Sequence, residues 1–146
     1  LSGNYDMSKY KIYFGDTGLL IASLDEEAQL DLRENKNFNT FKGAIFESIA
    51  GETLVKAGYK LFYFKDDSSQ IEMDFFIRGK NSLIPIEIKS KNGSTASLNK
   101  LIEKDKYEDI KFGIKFGDRN IGFNGKFYTL PYFTMFLLKD FIKSID

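Results

Sequence analysis

The chain has 146 residues, a natural length for one domain, with 21 Lys and Arg balanced by 21 Asp and Glu. It has no Cys and no His, which excludes disulfides, thiolate zinc sites, cysteine nucleophiles, Ser-His-Asp catalysis and histidine general bases. Zero net charge supplies no global pull toward nucleic acid or membrane, and no apolar run approaches the roughly 20 residues of a membrane span.

No signal peptide is visible, so the cytoplasm is the expected compartment. The chain opens on Leu1 rather than Met, and a longer parent protein is expected. Residues 1–10 read as a polar lead-in, and 11–146 as one domain. "KIYF" (11–14) has the composition of a short strand. The apolar run Leu19–Leu24 reads as a short buried helix capped by Asp16 or Thr17. "DEEAQLDLRENKNF" reads as a solvated helical turn and a loop, with a turn-rich stretch from Asn35 to Asn39.

"TFKGAIFESIAGETLVKAGYK" gives the clearest helix. Apolar residues at 45, 46, 49, 50, 54 and 57 follow a 3.6 period, Thr40 is placed to cap the start, and Gly58 is placed to stop the end. Strands are expected at Lys60–Phe64, Ile71–Arg78 and Leu83–Lys89, the last two joined by the turn "GKNS" as an antiparallel pair. A helix follows from Ser94 or Thr95, then strands at Ile110–Phe116, "NIGF" and "KFYTL". A closing helix starts with Pro131 in its first turn. The order predicts an α/β fold, a mixed β-sheet covered by helices.

The stretch "SLIPIEIKSK" (82–91) carries an acid and a base near the end of an apolar strand. Alternation puts Ile84, Ile86 and Ile88 on one face and Glu87 with Lys89 on the other. On the preceding strand Ile71, Met73, Phe75 and Ile77 share a face, leaving Asp74 on the opposite one with Glu72, Phe76 and Arg78. Asp74, Glu87 and Lys89 are therefore expected on one side of the sheet, with the carboxylates near the ladder spacing of about 4.8 Å. Two such acids can share a hard, oxygen-liking cation such as Mg²⁺, and the lysine can act on water or phosphate beside it. Glu47 falls about 20° from Leu54, at the border of the apolar stripe on the long helix, and is the candidate third acid.

These residues carry a resemblance. Asp74, twelve intervening residues and then Glu87-Ile88-Lys89, with Glu47 upstream, looks like the PD-(D/E)XK nuclease superfamily. "KIYFGDTGLL", "KGAIFESIAGETLVKAGYKLFYF", "IEMDFFI", "LIPIEIKS" and "YTLPYFTMFLL" together resemble the DUF4143 domain, over nearly the whole chain from Lys11. The resemblance implies a restriction-endonuclease-like fold and attachment to an N-terminal AAA+-type ATPase domain. It also implies a Mg²⁺ or Mn²⁺ site of Asp74, Glu87 and Glu47, with Lys89 as catalytic partner and DNA as substrate. Met73 stands where the superfamily pattern has proline. No Walker A motif occurs, so ATP binding is not assigned to this chain. The same fold can also serve as a non-catalytic regulatory module.

Two other features have plainer readings. "DTG" (16–18) matches the aspartic-protease triplet, but it opens into "LLIASL" and reads as a helix cap. Lys89, Lys91, Lys100, Lys104, Lys106, Lys111 and Lys115 could face phosphate. Acids at 103, 105, 108 and 109 interleave, so only Lys89 and Lys91, beside the candidate site, carry weight.

Overall fold

A computed structural model describes residues 6–36, 38–90, 93–104 and 106–146, with the backbone alone at 38–40. Among them a six-stranded mixed sheet runs β1 (Phe62–Asp66), β2 (Ile71–Arg78), β3 (Leu83–Ile88), β4 (Gly113–Gly117), β6 (Phe127–Pro131) and β5 (Gly122–Phe123), in that spatial order. β1–β2–β3 is an antiparallel meander; β3–β4 and β4–β6 are parallel, and β5 closes the edge antiparallel to β6.

Helices cover both faces. On one, Ala50 and Leu54 of α3 (Phe38–Lys56) and Leu138 and Ile142 of α5 (Leu138–Ile145) pack with Phe75, Ile77, Ile84, Ile86, Ile88, Ile114 and Phe116. On the other, Leu98 and Leu101 of α4 (Ala96–Ile102) join Ile71, Met73, Phe76 and Phe127. α4 lies close on the sheet: a Cβ at Gly113 would stand 2.6 Å from Leu98 Cδ1, so a larger residue there would displace the Leu98 side chain.

β2 departs from strict alternation. Phe62 pairs with Phe76 but Phe64 pairs with Met73, so Asp74 and Phe75 together face Tyr63 alone. This is a β-bulge, which bends a strand and re-aims its side chains. Ile71 and Met73 therefore belong to the α4 face, while Phe75 and Ile77 belong to the α3 face. The expected single apolar face of 71, 73, 75 and 77 is thereby corrected.

Other boundaries moved for local reasons. "KIYF" joins no strand, although its residues alternate between partly buried and exposed. α1 (Thr17–Ala22) forms with Asp16 accepting from Leu19 N at 3.1 Å, as its cap reading required, yet no residue of it is buried. α2 (Glu26–Arg33) is a full helix rather than one turn, because Asp25 caps it through Ala28 N at 2.8 Å. α3 starts at Phe38, so Asn39 and Thr40 lie inside it; the Thr40 side chain and Asn37 fall outside the described residues. Gly58, at φ +87°, ends α3 in the left-handed region. Before α4, Ser94 Oγ accepts from Ala96 N at 3.2 Å, while Thr95 makes no side-chain cap bond. β4 begins three residues later than expected, at Gly113. Pro131 ends β6 and caps a 3₁₀ helix (Tyr132–Leu137) that leads into α5, instead of sitting in the first helical turn.

Candidate metal and phosphodiester site

The candidate residues gather where β2 bulges and β3 ends. Glu87 alternates with Ile86 and Ile88, so it projects on the α4 side, opposite those core residues, beside its register partner Lys115. It is only 3% exposed. Lys89 Nζ lies 2.9 Å from Glu87 Oε1. Among the described residues, Glu87 Oε2 is buried without a hydrogen-bond partner. Burial pushes the Glu87 carboxyl up; Lys89 and Lys115 pull it down, Asp74 pushes it further up, and the net direction is upward.

Asp74 reaches this acid by a route that alternation does not give. Its bulge position turns the carboxylate toward the end of β3, and Oδ2 accepts the Ile88 amide at 2.7 Å. Burial raises its pKa most; the Ile88 amide opposes this, Glu47 adds to it, and the pKa stays above the ordinary aspartate value. Lys89 and Glu87 both enter the electrostatics of Asp74, directly or reciprocally. The face argument for Asp74 is thus corrected; its carboxylate is held at the amide of Ile88, the residue between Glu87 and Lys89.

Glu47 joins through an intermediary. Lys11 Nζ lies 2.7 Å from Glu47 Oε1, 3.6 Å from Asp74 Oδ1 and 3.7 Å from Glu72 Oε1. Tyr13 Oη donates to the same Glu47 oxygen at 2.5 Å. Burial works against the Lys11 charge, but the bond to Glu47 and the fields of Glu47, Asp74 and Glu72 outweigh it and raise its pKa. Burial and the same glutamate hold the Tyr13 phenol protonated. Among the described residues no three acidic side chains are spaced to cage a metal ion directly; between Glu47 and Asp74 stands an ammonium.

Lys89 is fixed at its backbone. Its amide donates to Phe116 O at 3.0 Å, and its carbonyl accepts from Tyr132 Oη. Tyr132 stacks on Phe46 of α3 with ring centroids 4.1 Å apart. Burial, then Asp118, pushes the Tyr132 phenol up to about 12, so it remains a donor.

Lys11, Tyr13, Glu72 and Tyr132 were not singled out as site residues from the sequence. The signal for the first two was present: Lys11 and Tyr13 alternate on an extended segment just before a cap, so they share a face. Glu52, also on α3, takes a structural part: it accepts from Thr17 N at 2.8 Å and Thr17 Oγ1 at 2.7 Å, tying α1 to α3. Lys91 falls outside the described residues. Lys104 and Lys126 pair with Asp66 and Glu103, in keeping with a solvated mixed face.

A mixed α/β domain, then, sets a buried acid against a partly exposed lysine at the end of its third strand and gathers further acids around a lysine from its N-terminal segment. The chain belongs to the DUF4143 family, described as a domain of unknown function, whose profile matches residues 42–134. Neither a comparison with curated proteins nor one with solved structures returns a match. Among the described residues no helix is long and apolar enough to cross a membrane.

Proposed function

We propose that this is a divalent-ion-dependent nuclease domain of PD-(D/E)XK type that hydrolyses DNA phosphodiesters. Asp74 and Glu87 hold Mg²⁺ or Mn²⁺, Glu47 supports it, and Lys89 is the catalytic amine. The observation that carries the reading is the Glu87 oxygen left unpartnered among the described residues. A buried polar atom left without a bond costs about 1–3 kcal/mol, and a scaffold built only for stability has no use for it. An all-oxygen donor set suits a hard cation, and an ammonium already stands among the neighbouring carboxylates. When bound, such an ion supplies a more acidic water and stabilises charge on the phosphate.

The chain's own groups do the rest. The bulge aims Asp74 at the end of β3, and the Ile88 amide holds it there. Glu87, rooted in the buried strand, presents its free oxygen beside Lys89. The Lys89 ammonium, on a backbone whose carbonyl accepts from Tyr132, stabilises negative charge developing on a phosphodiester or orients the attacking water. In the same reading the domain is cytoplasmic and forms the C-terminal part of an AAA+-type ATPase.

The test is nicking of plasmid and single-stranded DNA with Mn²⁺, wild type against Lys89→Ala. Cleavage by the wild type, reduced at least a hundredfold in the variant, supports the reading. A second reading, a non-catalytic regulatory module, is favoured by Lys11, which already neutralises Glu47 and Asp74. No cleavage by either folded protein supports that module and overturns the nuclease.

A further inference from the structure

Residues 9–17 cross the surface as a strap held by side chains. Lys9 Nζ bonds Asp67 Oδ2 at 2.8 Å, Lys11 and Tyr13 bond Glu47, and Thr17 bonds Glu52. Among the described residues, 10–14 make no backbone hydrogen bond to the sheet. Tyr10, Ile12 and Phe14, on the alternate positions, are 68%, 81% and 44% exposed. Tyr13 alone of this stretch packs on the core, its ring 5.4 Å from that of Phe75. Such an attachment opens far more easily than a paired strand.

The middle of this strap blocks the acids. Lys11 and Tyr13 both occupy Glu47 Oε1, and the Lys11 ammonium faces Asp74 Oδ1 while Asp74 Oδ2 is committed to Ile88. Glu72 and the Tyr63 ring, 5.0 Å away, complete the surroundings of Nζ. A divalent ion and this ammonium would share the same oxygens, and like charges cannot both be there at close range.

We infer that Lys11 is a tethered counter-cation that gates ion loading: it fills the cation position between Glu47 and Asp74 and must leave before a divalent ion can use them. The inference rests on the proposed metal site and adds its regulation. The closed strap lowers apparent ion affinity by the fraction of molecules in which it is shut, and a bound ion in turn releases the strap. The strap lies N-terminal to the span matched by the family profile, so this control belongs to a segment outside that span.

The test is calorimetric titration with Mn²⁺ of wild type, Lys11→Met and Lys11→Arg. Lys11→Met keeps the apolar stem and is expected to bind Mn²⁺ at least tenfold more tightly than wild type; Lys11→Arg, which keeps the charge, is expected to match wild type. In EDTA the methionine variant is expected to melt below wild type, from unrelieved repulsion among Glu47, Glu72 and Asp74, and Mn²⁺ is expected to restore it. Unchanged or weaker affinity in Lys11→Met, with wild type binding normally, overturns the gate and leaves the metal site standing. No Mn²⁺ binding by any of the three overturns the metal site and the gate with it. Should Lys11→Met not fold, the wild type reports the same event: saturating Mn²⁺ accelerates tryptic cleavage after Lys11, and a rate that Mn²⁺ leaves unmoved overturns the gate.

Discussion

Glu87 gives one carboxylate oxygen to Lys89 and keeps the other buried without a partner among the described residues. Ionising it therefore costs the fold free energy, which its raised pKa expresses from the other side. Replacing the charge by a neutral isostere removes that cost, so Glu87→Gln is expected to stabilise the metal-free domain by about 1 kcal/mol. Urea melts in EDTA would read this as a rise in midpoint at constant slope; a loss of 1 kcal/mol or more would mean that the carboxylate is a structural ion pair. The acid–lysine spacing was legible in the sequence because β3 alternates strictly. Asp74 was legible as a candidate but not in its aim. That aim depends on a bulge at 74–75, set by how β2 pairs with β1, and pairing is not written in the local pattern. Lys11 was hidden for a similar reason: a strap's contacts are tertiary, and its composition reads as a strand.

At the scale of elements, the long helix and β3 followed their periods closely, whereas β2 and residues 6–25 did not. α1 has no buried face, and what holds it to α3 is Glu52. Bonds from Lys56 and Thr17 hold the Glu52 carboxyl down at about 2, from an ordinary 4.5. A carboxylate depressed in the folded state contributes stability above its unfolded pKa and loses it as pH falls through the folded one. The contribution of Glu52 is thus complete above about pH 4.5 and fades toward pH 2. Glu52→Gln is expected to flatten the loss of stability over that window, measured by denaturant melts at stepped pH. An unchanged acid slope would show that the tie contributes nothing to folding. Gly58 marks the other end of α3, and its positive φ makes Gly58→Ala costly by about 1 kcal/mol in the same melts; a neutral result would mean that the turn relaxes.

For the whole molecule, two apolar clusters on opposite faces of one sheet set both stability and site geometry. Phe116 is fully buried between its register partners Ile88 and Leu130, and its carbonyl accepts the Lys89 amide. Phe116→Ala is expected to cost about 3–5 kcal/mol, a large share of a domain's margin, and to lower the melting midpoint accordingly; a cost below 1 kcal/mol would contradict this core assignment. The sheet order was not legible beyond its α/β class, because the crossover from β4 to β6 with β5 outside is a matter of long-range pairing. The account turns on whether the end of β3 and the bulge of β2 form one cation site. Calorimetric titration of Mn²⁺ into wild type, Asp74→Asn and Glu87→Gln tests this most directly. Saturable binding by wild type, weakened at least tenfold in each variant, is the predicted result; equal binding by all three, or none by folded wild type, would contradict it.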